Sequence, residues 1–264
     1  MNEGKAEIKT QTLYPYEIVE RLKGSTPYAY DHPRFGIEED LEANAPLEAM
    51  WKNLPDYVGD GGNVLVIADT SGSMMGRPMY TSTSLAMYFA ERNHGPFKGL
   101  YMTFSGEPQF IQINPGDSLY TRYVRLSRGP WGQNTNLLAV FDRLLGTAVH
   151  IGASAEDMPK ALVIITDMEI DSCEAEGSAA WNTIVDRVKA EFEKNGYKMP
   201  NIVFWNVASR HDTYLAKCKF KGVQMVSGSS ASIFKSVLGF IDGMTPLDAV
   251  KQVLSNERYS AIKV

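Results

Sequence analysis

The chain has 264 residues, 44% of them hydrophobic, and a formal net charge of −5 at pH 7. It can bury a full core, and the acidic balance gives no global electrostatic footprint for nucleic acid. The N-terminus reads as too charged for a secretion signal, no apolar run approaches the ~18 residues of a membrane span, and Cys173 and Cys218 are too few for a disulfide framework, so a cytoplasmic, intracellular protein with reduced thiols is expected.

Residues 1–45 are rich in charge, Pro and Tyr, with one helix expected over Tyr16–Lys23, and read as an arm or docking segment. Pro46–Tyr57 carries Leu47, Met50, Trp51 and Leu54 at helical spacing, and the Gly-Asp-Gly-Gly-Asn run at 59–63 is a turn. Val64–Ala68 is continuously apolar, as a strand covered on both faces requires. Pro78 suits the first turn of a helix whose buried stripe is Leu85, Tyr88 and Phe89. Leu100–Phe104 and Phe110–Ile113 flank Ser105-Gly106-Glu107-Pro108, which predicts a hairpin with one antiparallel edge strand.

A second helix, marked by Leu137, Phe141, Leu144 and Leu145, begins just after Thr135, and Ala161–Thr166 is a buried strand ending at Asp167. Trp181, Ile184, Val185, Val188 and Phe192 line a third helix, stopped by Asn195-Gly196. Ile202–Val207 and Val223–Val226 are further strands. Ile233, Val237 and Phe240 mark one more helix, and Leu247, Val250 and Leu254 another after Pro246. This alternation predicts an α/β, Rossmann-like doubly wound sheet over residues 46–264, mostly parallel with one antiparallel edge strand and helices on both faces. In such sheets ligands sit beyond the carboxyl ends of strands, where Asp69 and Asp167 both fall.

Asp69, Ser71 and Ser73 follow the first strand at alternate positions, with Gly72 allowing the tight turn that aims both hydroxyls at one centre. Hard oxygen donors without sulfur or imidazole suit Mg²⁺ or Mn²⁺ and argue against zinc or copper. A divalent ion held mostly by neutral hydroxyls keeps much of its charge and attracts an anionic oxygen, here the Asp or Glu of a partner protein.

Other motifs fail on their chemistry. The Asp167-Met-Glu169-Ile-Asp171 run has Ser172 and Ser178 where a calcium loop needs Gly and Glu. The glycines at 59–62 precede their strand, whereas a phosphate loop follows one. His32, His94, His150 and His211 share no metal spacing and lie in no nucleophile motif. Lys217, Lys219 and Lys221 read as a solvated face, or a small contact for RNA or an acidic partner. A metal-assisted phosphatase or nuclease using Asp69 as nucleophile lacks the second aspartate two residues on, where Ser71 stands, and a general base.

With Thr135 in Gln-Asn-Thr-Asn and Asp167 in Ile-Ile-Thr-Asp, the run Asp69-x-Ser71-x-Ser73 resembles the three-part metal-ion-dependent adhesion site (MIDAS) of von Willebrand factor A (vWA) domains. The stretch from Ala49 to Tyr57 and Thr166-Asp167-Met168-Glu169 are similar to the intracellular TROVE/Ro branch, and especially to the DUF2828 family of plants, phages and large DNA viruses. In those families the domain follows a helical-repeat region that this chain is expected to lack. The resemblance implies that Ser71 and Ser73 bind the ion directly, Thr135 directly or through water, and Asp69 and Asp167 through water. It also places Arg77, Trp131 and Gln133 near the metal as a ligand rim, although Trp131 equally suits the core; Glu169 reads either as adjusting charge at that rim or as a solvated acid after the strand. It implies a non-enzymatic, Mg²⁺-dependent protein-interaction domain. A Ro-like ribonucleoprotein component is the second reading.

Overall fold

The computed structural model describes residues 13–22, 41–59, 63–127, 136–168, 177–208, 223–241 and 245–255. Its helices are α1 (Pro15–Val19), α2 (Leu41–Lys52), α3 (Arg77–Arg92), α4 (Leu119–Ser127), α5 (Leu137–Ile151), α6 (Gly177–Lys194), α7 (Ile233–Ile241) and α8 (Pro246–Leu254). The strands are β1 (Val64–Asp69), β2 (Leu100–Phe104), β3 (Phe110–Gln112), β4 (Ala161–Thr166), β5 (Asn201–Asn206) and β6 (Val223–Ser227). Among the described residues no helix is long and apolar enough to cross a membrane.

The strands form one six-stranded sheet in the order β3-β2-β1-β4-β5-β6. All neighbours are parallel except β2 and β3, the predicted hairpin at one edge. From β1 the chain crosses through α3 to β2 on one side, then returns through α5 to β4 on the other. The direction of winding therefore reverses between β1 and β4, and a crevice opens at the carboxyl ends of that pair.

Strand periodicity sorts the apolar residues onto two faces. Val64, Val66, Ala68, Val163, Ile165 and Trp205 share one buried cluster with side chains of α1, α2, α3 and α4. Leu65, Ile67, Met102, Phe104, Leu162 and Ile164 share the other with α5 and α6. The first cluster includes Ile18 and Val19, both 0% exposed, so the short α1 is packed onto the body of the domain.

Three details differ from the sequence pattern. Helix α1 spans Pro15–Val19 rather than reaching Lys23, which lies outside the described residues. Helix α2 begins at Leu41 with Pro46 inside it and stops at Lys52, before Pro55 bars helical backbone at residue 54. Helix α4 had no counterpart among the expected elements. It buries Leu119, Tyr120, Tyr123, Val124 and Leu126 at helical spacing, although its Tyr, Thr and Val content favours strands.

Candidate functional site

The alternation that buries Leu65 and Ile67 brings Asp69 to the same face, and Thr166 follows Leu162 and Ile164 in the same way. The register pairs Ala68 with Ile165, so the next residues, Asp69 and Thr166, stand side by side at the crevice. Thr166 Oγ1 donates to Asp69 Oδ2 at 2.5 Å, and the Ser71 N–H donates to Asp69 Oδ1 at 2.8 Å. Both carboxylate oxygens are thus oriented. The Ser71 turn then brings the Ser71 and Ser73 hydroxyls to 3.1 Å from each other.

Asp69 is 0% exposed and Asp167 6% exposed. Burial pushes the Asp69 carboxyl up to about 6; hydrogen bonds from Thr166 and Ser71 oppose that rise, and the neighbouring Asp167 carboxylate adds to it. Two buried acids within electrostatic reach of each other form a locus that a cation relieves.

The donor set fits a small hard cation. Adjacent ligands of an octahedral Mg²⁺ at ~2.1 Å lie roughly 3 Å apart, close to the separation of the two serine hydroxyls. Among the described residues no three His, Cys, Asp or Glu side chains gather as a metal cluster, and the oxygen donors described at the strand ends are hydroxyls together with carboxylates. That composition suits magnesium or manganese better than zinc.

Thr166 is a positioning residue that motif reading passed over. Its hydroxyl donates to Asp69 and accepts the Met168 N–H at 3.1 Å. Met168 has φ 72°, the only positive φ of a non-glycine among the described residues, and lies buried beside Asp167. A long apolar side chain in that region is strained, and the Thr166 contact helps hold it there. Thr166→Val, which keeps the shape and removes the hydroxyl, is expected to lower stability by about 1–3 kcal/mol in urea unfolding, with Thr166→Ser retaining most of it. A Val variant with an unchanged midpoint would show that the hydroxyl bridge contributes nothing.

Of the other sequence candidates, Arg77 is exposed at the first position of α3. Its guanidinium is engaged by Tyr16: Nη2 donates to the phenol oxygen at 2.6 Å, and Cζ lies 4.6 Å from the ring centroid. Thr135, Trp131, Gln133 and Glu169 lie outside the described residues, as do Cys173, Cys218 and Lys217, Lys219 and Lys221. Asn136, next to Thr135, caps α5 by accepting the Ala139 N–H at 3.1 Å, so that helix begins where the sequence pattern set it.

A mostly parallel, doubly wound sheet with polar side chains gathered at its switch point defines the chain as a Rossmann-like α/β protein. It belongs to the family described as Domain of unknown function (DUF7788), whose profile matches residues 63–260. Uncharacterized protein L728 of Acanthamoeba polyphaga mimivirus is 27% identical over 258 residues, covering 96% of this chain and 42% of that protein. Among solved structures, the Deinococcus radiodurans RO (RSR) protein is 18% identical with a TM-score of 0.50, covering 88% of this chain and 45% of that one. The SpRpn10 VWA domain is 13% identical with a TM-score of 0.40, covering 70% and 96%. The chain thus spans less than half the length of L728 and of the RO protein, and its likeness to the latter is one of fold. The resemblance to DUF2828 rests on the two sequence segments alone.

Proposed function

We propose that this is a non-enzymatic interaction domain that binds Mg²⁺ or Mn²⁺ at the β1–β4 crevice and uses the ion to hold an Asp or Glu side chain of a partner protein. The observation that carries this reading is the convergence of the Ser71 and Ser73 hydroxyls, 3.1 Å apart, beside Asp69 and Asp167 at the carboxyl ends of adjacent strands. Ser71 and Ser73 would hold the ion, and Asp69 and Asp167 would orient its shell, with Thr135 as the remaining donor. The ion supplies a positive centre for an anionic oxygen.

The residues prepare that event without chemistry of their own. Thr166 and the Ser71 amide fix the Asp69 carboxylate, so little ordering remains when a cation enters. Burial of both acids strengthens their field, because nearby charges interact more strongly away from water.

Calorimetric titration with MgCl₂ tests the reading. Wild type should bind, and the Ser71→Ala, Ser73→Ala double variant should bind about 100-fold more weakly or not at all, since even outer-sphere partners of a metal contribute about 10–100-fold. Equal binding by both proteins would refute the site.

A further inference from the structure

We propose that Tyr16 and Arg77 form a clasp coupling the N-terminal segment 13–22 to the candidate cation loop, so that docking of the segment raises cation affinity and cation occupancy tightens docking. The inference rests on the cation reading above and adds a positioning pair to it.

Between Ser71 and Arg77 the connection is short and stiff: Gly72–Met74 forms a 3-10 turn in which the Met74 N–H donates to the Ser71 carbonyl at 3.1 Å and the Met75 N–H to the Gly72 carbonyl at 3.3 Å, so a restraint on Arg77 is passed towards Ser73. Gly72 and Gly76 have open space where a Cβ would stand, and Gly76 has φ 86°. Met74 is fully buried and Met75 is 51% exposed. Ser71 is tied to Asp69 at the front of the loop. At its back, four residues after Ser73, comes Arg77, and Tyr16 holds it by a hydrogen bond and by its ring face together.

Arg77 is electrostatically misplaced as a helix residue. A cation at the first position of α3 opposes the helix dipole, so its presence there is not explained by helix stability. It is also the only charged residue between Asp69 and Glu91. Tyr16 gives that guanidinium a partner, because a phenol oxygen and an aromatic face both attract it. The anchor is firm: Tyr16 is 7% exposed, stacks on Tyr14 at 5.7 Å, and belongs to a segment whose Ile18, Val19 and Leu22 are buried in the core. Released from Tyr16, the back of the loop would lose this side-chain restraint, and the guanidinium would become a mobile positive charge close to the candidate cation site. Both effects lower cation affinity, and coupling of two equilibria is reciprocal.

The test uses the full chain with Mn²⁺ as probe, its free concentration read by electron paramagnetic resonance, and hydrogen exchange of residues 13–22 read with and without Mn²⁺. Tyr16→Phe keeps the ring and loses the oxygen; Mn²⁺ affinity should fall about threefold. Tyr16→Ala should lower it about tenfold; Arg77→Ala, which loses the restraint but also removes the mobile charge, about threefold, and the double variant should match Arg77→Ala, as expected of one shared interaction. Mn²⁺ should slow exchange of 13–22 in wild type and not in Arg77→Ala. Wild-type affinity in all variants, or exchange indifferent to Mn²⁺, overturns the clasp. So does a Tyr16→Ala protein that unfolds earlier in EDTA yet binds Mn²⁺ normally. If wild type binds no Mn²⁺, the cation reading falls and takes the clasp with it. If Asp69→Asn loses Mn²⁺ while the Tyr16 variants do not, the clasp alone falls.

Discussion

Asp69→Asn is expected to lose divalent-cation binding and yet, in EDTA at neutral pH, to unfold at a higher temperature than wild type. The carboxylate is fully buried, and burial pushes its pKa from 3.8 up to about 6. Asparagine keeps an oxygen for the Ser71 N–H and presents an NH₂ to the Thr166 oxygen, so the shape and most of the bonding survive without the charge. A rise of about two pH units corresponds to about 3 kcal/mol as a ceiling. The expected gain is about 1–3 kcal/mol, or about 2–4 °C for each kcal/mol in a domain of this size.

The sign of the pH dependence follows from the raised value. In wild type without cation, the Asp69 contribution to stability is fully present below the unfolded-state pKa of 3.8 and is lost as pH rises through about 6. The Asn variant lacks this loss, so the two midpoints should converge on acidification and separate towards neutrality. Saturating Mg²⁺ should reverse their order by stabilising wild type alone. Calorimetric scans in EDTA and in MgCl₂ check both halves. An Asn variant no more stable than wild type in neutral EDTA would mean that burial of Asp69 costs the fold nothing.

The other large effect is structural. Trp51→Ala should cost about 3–5 kcal/mol, a large share of the ~5–15 kcal/mol that stabilises a typical domain. Trp51 is 1% exposed on α2 and meets the Tyr88 ring edge-on at 6.4 Å. Its Nε1 donates to Glu91 Oε2 at 2.9 Å, while Glu91 Oε1 accepts from Arg122 Nη1 of α4 at 2.5 Å. The Glu91 carboxylate therefore joins α2, α3 and α4, and truncating Trp51 opens a cavity and removes one of that carboxylate's donors. Trp51→Phe should be intermediate, since it keeps most of the volume and none of the hydrogen bond. Urea unfolding measures both, and a loss under about 1 kcal/mol in the Ala variant would show that α2 adds little to the domain.

The central sheet was readable because β1 and β4 are buried on both faces and so carry unbroken apolar runs at 64–68 and 161–165. The hairpin was readable from its Ser-Gly-Glu-Pro turn. Helix α4 was not, because Tyr120, Thr121, Tyr123 and Val124 suit a strand locally and only packing against α3 and the sheet decides otherwise. The one local cue was Ser118, whose hydroxyl accepts the Thr121 N–H at 3.1 Å.

The placement of Asp69, Ser71, Ser73 and Asp167 at or just beyond neighbouring strand ends was legible because donor type and strand boundaries can be read from spacing. Thr166 and Tyr16 were not, because their roles depend on which strand and which segment become neighbours. Thr166 reaches Asp69 across 97 positions of sequence and Tyr16 reaches Arg77 across 61, separations that periodicity does not span.

The split construction of the crevice also bears on biogenesis. A nascent chain emerging from the ribosome carries Asp69, Ser71 and Ser73 long before it carries Thr166 and Asp167, and the first strand must wait for the fourth to arrive beside it. Until then the serine loop is a half-cradle without its second acid. On the cation reading proposed above, ion capture would therefore belong to the end of folding, as a seal on a finished centre rather than a seed for it.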